Sequence, residues 1–438
     1  MTVDLLVRNA LITTSTRQEL GTLAIDKGKF LPYSGQSARE EIDATGLVAI
    51  PGVIDTQVHF REPGMEHKED LESGTRAAIL GGVTTIFEMP NTNPTTTTEA
   101  ALLDKLARAA GRAWCDYSFF VGATTENISE LAHLETLPGS PGIKIFMGSS
   151  TGPLLVGDDE HLRRVLQHGT KRCPIHAEDE PRNRERKLLL SDHPHPREHP
   201  FLRDATSARI ATERILALSE QTGRPVHILH VSTADELPIL VLAKENGASV
   251  TCEVTPQHLW FQAPECYEKL GTLAQMNPPI RAAEHRAAIR DALKSGLFDV
   301  FGSDHAPHTL EEKSQPYPTS PSGMPGVQTL LPILLTLAKQ EVTNIHQIVK
   351  MACERPAELY GISDKGSFEA DADLVLVDPD ASYVFERSMV ASKCGWSPYE
   401  GETFTGQVKH VLLRGRPVVA EGELVGPPSG EPVRFNWK

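Results

Sequence analysis

The alternation of apolar and polar positions divides the chain into three stretches. Residues 1–53 contain short strand-like runs separated by polar turns, with no helical spacing between them. Between residues 54 and 360, apolar runs typical of buried strands alternate with segments whose apolar residues recur at helical spacing. Residues 361–438 return to the strand pattern. We therefore predict an N-terminal β segment, a central α/β domain and a C-terminal β segment with these bounds.

The central stretch predicts a barrel. It holds about eight strand–helix units between residues 54 and 355, the number that a closed (β/α)8 barrel requires. An open doubly wound sheet is the alternative, but no glycine-rich phosphate loop supports it. Because the two β-rich segments flank one barrel, we predict an α/β protein in which a TIM-like (β/α)8 barrel carries a small composite β domain formed by both ends of the chain.

Composition and charge narrow the function classes. The 438-residue chain has a net charge of −15, whereas a nucleic-acid-binding protein would show a basic face, so we expect no nucleic-acid partner. No apolar run of about 18 residues predicts a membrane span, and the N-terminus lacks the pattern of a signal peptide. Six cysteines without a Cys-x-x-Cys pair are typical of reduced thiols. We therefore expect a cytoplasmic protein.

Side chains that bind metals or react lie at or near the ends of separate apolar strands. They are His59, Lys144, His176, His230 and Asp304. In a parallel barrel the carboxyl ends of the strands meet at one mouth, where active sites sit. A single histidine there is more often a hydrogen-bonded core residue, but burying three imidazoles, an amine and a carboxylate together is costly unless a cation unites them. Histidine and carboxylate ligands suit zinc.

Lys144 is the unusual member of this set, because a protonated amine repels a cation. A lysine whose pKa is lowered by burial could react with carbon dioxide, and the resulting carbamate could bridge two metal ions. Metal-bound water would then be acidic enough to react near neutral pH, and Asp304 could pass its proton to a leaving nitrogen. The alternative is a strand lysine that reaches solvent or pairs with an acid.

Arg61 and Glu178 each lie beside one of these histidines. Arg61 follows His59 by two residues and projects to the same side of an extended chain, where its planar fork suits an anionic substrate. The alternative is a surface salt bridge to Glu62 or Glu66. Glu178 could orient His176 from behind, or it could belong to a solvated acidic loop.

Short motifs along nearly the whole chain carry a family resemblance. They are HFREPG at 59–64, GGVTT at 81–85, MPNT at 89–92, GIKIF at 142–146, HAED at 176–179, HILHVS at 227–232, MNPP at 276–279, SDHAPH at 303–308 and SKCGWSP at 392–398. With this set the chain resembles the cyclic amidohydrolases, and most closely the dihydroorotases. The resemblance implies a zinc-dependent, reversible opening of the ring of L-dihydroorotate to N-carbamoyl-L-aspartate in pyrimidine synthesis.

The resemblance also implies a role for each matching residue. The metal ligands would be His59, carbamylated Lys144, His176, His230 and Asp304, and Asp304 would also be the general acid and base. The substrate carboxylate would be held by Arg61, Asn91 and His308, with Asn277 at the ring. Relatives that cleave hydantoins and dihydropyrimidines need no such carboxylate clamp, so these residues favour dihydroorotate.

Gln57 departs from the family pattern. A His-x-His pair usually follows this strand, but Gln57 stands at its first position. An amide oxygen is a poor zinc ligand beside imidazole, so either one of two zinc positions is weakened or lost, or another group substitutes. Our hypothesis is that the position formed by Lys144, His176 and His230 fills more tightly than the one shared by His59 and Asp304.

Gln57 also keeps two other function classes open. One is a catalytically impaired scaffold that partners aspartate transcarbamoylase, although every other site residue is present. The other is a hydantoinase- or allantoinase-type cyclic amidohydrolase. The resemblance leaves open a homodimer and an association with aspartate transcarbamoylase.

Overall fold

The computed structural model describes residues 2–149 and 154–436. The chain begins with an all-β segment, as the strand pattern predicts. Its strands are β1 (Thr2–Thr13), β2 (Gln18–Asp26), β3 (Lys29–Leu31), β4 (Ser37–Asp43) and β5 (Val48–Pro51). The apolar run at 23–30 predicts one strand, but it is split, because Lys27 and Gly28 adopt positive φ angles of 49° and 77° and form a tight turn between β2 and β3.

The central stretch alternates strands and helices. Its strands are β6 (Val53–Val58), β7 (Val83–Glu88), β8 (Asp116–Phe119), β9 (Val121–Gly122), β10 (Ile143–Phe146), β11 (Cys173–His176), β12 (Val226–Ile228), β13 (Val250–Val254) and β14 (Val300–Phe301). All of them pair in parallel. When β8 and β9 are counted as one strand interrupted at Phe120, they form a barrel of eight strands.

The barrel closes between its first and last strands. Val58 pairs with His305 in a parallel bridge, and the backbone N–H of His59 donates to the carbonyl of His305 over 2.7 Å. The predicted (β/α)8 barrel is therefore confirmed. Closure brings the chain after β6 next to the chain after β14, so that His59 and Asp304 lie at adjacent strand ends.

Helices surround the barrel and extend its connections. They are α1 (Leu71–Leu80), α2 (Glu99–Ala109), α3 (Leu131–Leu134), α4 (Asp159–Gln167), α5 (Glu180–Lys187), α6 (His199–Leu202), α7 (Ala205–Thr222), α8 (Leu237–Glu245), α9 (Pro256–Trp260), α10 (Glu265–Leu270), α11 (Ala283–Lys294), α12 (Leu310–Lys313), α13 (Leu330–Lys339), α14 (Ile345–Val349) and α15 (Arg355–Tyr360). None of those described has the length and apolar character needed to cross a membrane.

The two ends of the chain build one sheet. The C-terminal strands are β15 (Leu374–Val384), β16 (Thr403–Leu413), β17 (Arg416–Ala420) and β18 (Glu423–Leu424). β15 pairs antiparallel with β5, which also pairs with β1, so nine strands from both termini form a single sheet. The composite β domain is confirmed, while the bounds 1–53, 54–360 and 361–438 stay a prediction.

A buried ion cluster joins this sheet to the barrel. Lys365 Nζ lies 2.5 Å from Asp116, at the start of β8, and 2.6 Å from Asp373, just before β15. Arg414 adds bonds to Asp116 through its side chain and to Asp373 through its backbone N–H. Burial opposes the charge of Lys365, but the neighbouring carboxylates raise its pKa above the usual value.

We expect Lys365→Met to lower the free energy of unfolding by about 3–5 kcal/mol, because it leaves two buried carboxylates without their shared cation. Denaturant unfolding measures the change. The matched control is Lys29→Met, which removes the half-exposed partner of Asp371 and should cost about 0–1 kcal/mol. Equal effects of the two variants would contradict a special role for the buried cluster.

Candidate active site

The five strand-end residues predicted from the sequence are all buried at, after or, for Lys144, two residues before the carboxyl ends of barrel strands. His59 follows β6, Lys144 lies in β10, His176 ends β11, His230 follows β12 and Asp304 follows β14. Hydrogen bonds and ion pairs join them into two pairs, described below, with Lys144 in the electrostatic field of both. That these residues bind a metal ion stays a prediction.

Three predicted site residues have left-handed backbone conformations. The φ angles are 68° at Arg61, 37° at His230 and 44° at Asp304. Such a conformation costs a residue other than glycine on the order of 1–3 kcal/mol and persists only where the surrounding structure holds it. Each of these residues lies just beyond a strand, where the backbone turns and its side chain is redirected.

His176 and His230 form the first pair. His176 Nδ1 lies 3.0 Å from His230 Nε2, and its other nitrogen, Nε2, lies 2.9 Å from Glu178. Burial favours the neutral form of Glu178, but the guanidinium of Arg203 and the His176 imidazole hold the pKa of this carboxyl well below its usual range. An ionised Glu178 accepts a hydrogen bond from His176 Nε2–H, so Nδ1 of a neutral His176 presents a lone pair toward His230.

Glu178 is therefore a residue that orients His176, and the alternative of a solvated acidic loop is wrong for it. The side chain is completely buried. Arg203, which follows α6, binds the same carboxylate and also donates to the carbonyl of Ser149 over 3.0 Å. The loop after β10 and the loop before α7 are thereby joined behind His176.

Lys144 has the environment that its predicted chemistry needs. Its Nζ is buried and makes no hydrogen bond within the described part of the chain, and it lies 4.3 Å from the centroid of the Phe146 ring. Burial lowers the pKa of this amine well below its usual value, which favours its neutral, nucleophilic form. The alternatives of a solvated lysine or a salt-bridge partner are therefore wrong.

His59 and Asp304 form the second pair. His59 Nε2 lies 3.3 Å from Asp304 Oδ1, and His59 Nδ1 lies 2.6 Å from Asn91 Oδ1. The amide oxygen of Asn91 accepts a hydrogen bond from His59 Nδ1–H, so Nε2 of a neutral His59 directs a lone pair at a carboxylate oxygen. Two facing acceptors need a proton or a cation between them.

Gln57 approaches the same carboxylate oxygen. Its Nε2 donates to Asp304 Oδ1 over 3.0 Å, while its Oε1 is buried without a hydrogen-bond partner in the described structure. An imidazole at this position would present a lone pair, whereas the amide presents an N–H donor to Asp304. A metal ion held by His59 and Asp304 would need a third ligand at this position, but Gln57 places a hydrogen-bond donor there.

Arg61 and His308 form a buried cationic corner beside the second pair. Arg61 Nε donates to the carbonyl of Pro307 over 3.1 Å, and Arg61 Nη2 lies 3.3 Å from His308 Nε2. Arg61 Nη1 has no hydrogen-bond partner among the described residues. Burial lowers the pKa of Arg61 only to about 10, so the guanidinium stays charged at neutral pH. A surface salt bridge of Arg61 to Glu62 or Glu66 is therefore excluded.

Asn277 lies apart from the other predicted residues. It is half-buried, and its side-chain oxygen accepts a hydrogen bond from His199 Nε2 over 2.9 Å. No hydrogen bond recorded for the described residues links it to the two pairs or to Arg61. The loop that carries Asn277 does reach the cationic corner. The carbonyl of Gln275 accepts a hydrogen bond from the backbone N–H of Gly323. The preceding residue, Ser322, has its carbonyl 3.1 Å from His308 Nε2.

The C-terminal segment supports this side of the site. Trp396 Nε1 donates to the carbonyl of His308 over 2.7 Å. The hydroxyl of Ser392 and the backbone N–H of Lys393 both bond to the buried carboxylate of Glu69, which precedes α1. The composite β domain thus brings its SKCGWSP motif to the barrel mouth and fixes the chain that carries His308.

Two buried carboxyl groups below the site were missed by the sequence reasoning. Burial raises the pKa of Asp55 to about 7 and that of Glu253 to about 8. Glu253 accepts a hydrogen bond from the backbone N–H of His230 over 3.2 Å, and Asp55 accepts one from Ser303 over 3.1 Å. An acid within an uninterrupted apolar strand, as at both positions, is the signal that could have found them.

The donor set fits a metal ion best at the first pair. Among the described residues no three His, Cys, Asp or Glu side chains form a ready metal-binding group. A carbamate on Lys144 would add oxygen donors beside His176 and His230. The two ring nitrogens that face each other could serve as metal ligands. His230 Nδ1 has no hydrogen-bond partner in the described structure and could serve in the same way. The second pair fits a cation less well, because Gln57 already occupies Asp304 Oδ1.

Residues 48–418 match the amidohydrolase family. This range includes the barrel and most of the C-terminal strands, and the match spans far more than half of the chain. The chain therefore belongs to the amidohydrolase family. Its barrel, composite sheet and strand-end histidines are consistent with that membership.

Within this family the chain is related to the dihydroorotases. It is 33% identical to the dihydroorotase of Methanosarcina mazei over 91% of this chain and 90% of that protein. It is 34% identical to the multifunctional protein CAD of Squalus acanthias over 89% of this chain but only 16% of that protein. The solved L-hydantoinase of Arthrobacter aurescens is similar in fold, with a TM-score of 0.92, 28% identity, and coverage of 98% of this chain and 99% of that one.

We expect Lys144→Met to stabilise the metal-free, bicarbonate-free protein at pH 7. The pKa of Lys144 is lower in the folded chain than in the unfolded chain, so the stability of the wild type rises with pH, by at most about 1.4 kcal/mol per pH unit, up to the unfolded pKa of about 10.4. The advantage of the variant should therefore shrink as the pH rises from 7 to 9. Denaturant unfolding across this range measures it.

Lys105→Met is the contrasting control for Lys144→Met. Lys105 is equally buried but lies 2.5 Å from Glu88, so its removal leaves a buried carboxylate unpaired and should destabilise the protein. A Lys144→Met variant that is less stable than the wild type at every pH would contradict the lowered pKa of Lys144.

Proposed function

We propose that the protein is a dihydroorotase, which hydrolyses the cyclic amide of L-dihydroorotate reversibly to N-carbamoyl-L-aspartate in pyrimidine (UMP) biosynthesis. The relationship to dihydroorotases over 91% of the chain supports the reaction class. The observation that carries the substrate assignment is the buried corner of Arg61 and His308. It is cationic and has an unused guanidinium donor.

The substrate carboxylate binds at this corner. Arg61 Nη1 and Nη2 offer two parallel N–H donors, the geometry that a carboxylate accepts. His308 adds a donor, and the Asn91 side chain, which is bonded to His59, borders the same region. Asn277 contacts the ring from the opposite loop. Binding at this end sets the ring amide over the strand-end residues.

The metal would be held by five residues: Lys144 as its carbamate, His176, His230, His59 and Asp304. Zinc suits these nitrogen and oxygen donors, and when bound it polarises a carbonyl group and increases the acidity of water. The facing lone pairs of His176 and of His59, each fixed by a bond on the far side of its ring, support this assignment.

Asp304 moves the proton. Gln57 and His59 both contact the Oδ1 atom of this carboxylate. We therefore assign the Oδ2 atom to proton transfer. Water adds its oxygen to the ring carbonyl carbon, Asp304 takes one proton from it, and the carbon–nitrogen bond breaks as Asp304 returns that proton to the departing nitrogen. The second proton of the water leaves with the new carboxyl group. The left-handed backbone of Asp304 holds the carboxylate in place for both transfers.

A hydantoinase-type activity is the second candidate function. The similarity to the Arthrobacter aurescens L-hydantoinase over nearly both whole chains favours it. A hydantoin or dihydropyrimidine substrate brings no carboxylate, however, and would leave the buried guanidinium of Arg61 without an anionic partner. The buried charge therefore favours dihydroorotate.

The setting of the reaction is also proposed. Similarity to part of a multifunctional protein supports an association with aspartate transcarbamoylase, and a homodimer stays a prediction. All six cysteines are buried free thiols, which supports a cytoplasmic location. A scaffold without activity is the alternative, and metal content separates the two, because a scaffold should carry essentially no metal.

We expect purified protein supplied with zinc and bicarbonate to open the ring of L-dihydroorotate, and Asp304→Asn to lower turnover by about 10²–10⁴-fold, because proton transfer is lost. A spectrophotometric assay of ring opening measures turnover. Asp380→Asn, at an exposed ion pair with Lys339, is the matched control and should behave as the wild type.

The outcomes of this assay are decisive. Wild-type inactivity toward L-dihydroorotate, with folded and metal-loaded protein, would reject the proposed substrate. Turnover of hydantoin or dihydrouracil in its place would establish the second candidate. Folded protein that retains essentially no metal and is inactive toward all three substrates would favour the scaffold.

We expect zinc to bind the metal-free protein in two unequal events when bicarbonate is present. His176→Asn should remove the tight event, and Gln57→His should tighten the weak one, because it replaces an amide donor by an imidazole lone pair. Calorimetric titration and elemental analysis measure both. Gln340→His adds a histidine on the exposed end of α13 and should change neither event. Two equally tight events in the wild type would refute the inequality.

A further inference from the structure

Lys68 lies behind the cationic corner formed by Arg61 and His308. It follows the HFREPG motif and is buried, and its Nζ lies 3.1 Å from His308 Nδ1. The same amine lies 3.0 Å from Glu312 Oε1, on α12. Lys68 thus joins the loop after β6 to the helix that follows the SDHAPH motif.

The amine determines which nitrogen of His308 carries the proton. Lysine is only a donor, so His308 Nδ1 must accept from it with a lone pair. Glu312 Oε2 competes for this nitrogen but lies 3.6 Å away, beyond hydrogen-bonding distance. Burial, reinforced by the nearby guanidinium of Arg61, lowers the pKa of His308 to about 3, so the ring is neutral and has one proton. That proton is on Nε2.

The protonated Nε2 faces another donor. Arg61 Nη2 lies 3.3 Å from it, and neither group can accept from the other. The carbonyl of Ser322 lies 3.1 Å from Nε2 and accepts a hydrogen bond from it. Two donors that converge at the same corner require an anionic acceptor when the corner is filled, and a planar carboxylate satisfies both.

We propose that Lys68 is a positioning and specificity residue for the carboxylate of the substrate. It holds His308 in the Nε2–H tautomer, so that His308 and Arg61 together present N–H donors to a carboxylate. Glu312 keeps Lys68 in place and balances its charge. The inference rests on the proposed function for the identity of the substrate, but the tautomer of His308 and the preference for a carboxylate do not depend on turnover.

The kinetic test uses the metal-loaded protein. Lys68→Met keeps the length of the side chain and removes its donor. We expect it to raise KM for L-dihydroorotate about tenfold, the loss of one hydrogen bond to a charged group, while kcat changes less than threefold and zinc content stays the same. Lys68→Arg retains a donor and should restore most of the affinity. Lys339→Met, which removes an exposed lysine paired with Asp380, should match the wild type.

Two further measurements separate this inference from the proposed function. Orotate carries the same carboxylate, and its dissociation constant, measured by calorimetry, should rise about tenfold in Lys68→Met whether or not dihydroorotate is turned over. In the wild type, ¹⁵N chemical shifts of labelled histidines, with His308 assigned from His308→Asn, should show the Nε2–H tautomer. An Nδ1–H tautomer, or unchanged KM and orotate affinity in a folded Lys68→Met variant, would overturn the role of Lys68.

Discussion

The burial of polar groups at the closed barrel mouth is the constraint on which the rest of the site depends. Eight parallel strands that close on themselves bring their carboxyl ends together, and the side chains there are shielded from water. Each must therefore find a partner within the protein or in a ligand. Glu178 and Asn91 fix one nitrogen each of His176 and His59 from behind. The buried groups that have no hydrogen-bond partner within residues 2–149 and 154–436, such as Lys144 Nζ, mark where the chemistry takes place.

The sequence predicted the barrel and the composite sheet well because both depend on periodicity. It also picked out the strand-end residues, since a charged or imidazole side chain at the end of an apolar run is conspicuous. It could not show that Lys27 and Gly28 divide a predicted strand, because that depends on two local backbone angles. Nor could it decide between an ion pair and a buried clamp for Arg61, because exposure is set by the loop that carries Pro307 and His308.

Spatial partners far apart in sequence account for the remaining residues that sequence reasoning left undecided. Glu178 lies two residues from His176, but only Arg203, on another loop, keeps it ionised while completely buried. Lys68 lies between His308 and Glu312, about 240 residues away in the chain. Gln57 was recognised as a departure, yet its contact with Asp304 Oδ1 depends on closure between the first and last strands. Pattern and spacing cannot reveal contacts that only tertiary closure creates.

The composite sheet has a consequence for synthesis of the protein. β5 is paired on one side with β1 and on the other with β15, which follows more than 300 residues later, and the support for His308 comes from Trp396. The barrel strands are therefore translated before the sheet that covers them can be completed. A nascent chain displays the edge of β5 until β15 leaves the ribosome, so termination before Leu374 leaves this sheet edge open and prone to aggregation. Termination between β15 and Trp396 leaves the site without its support for His308.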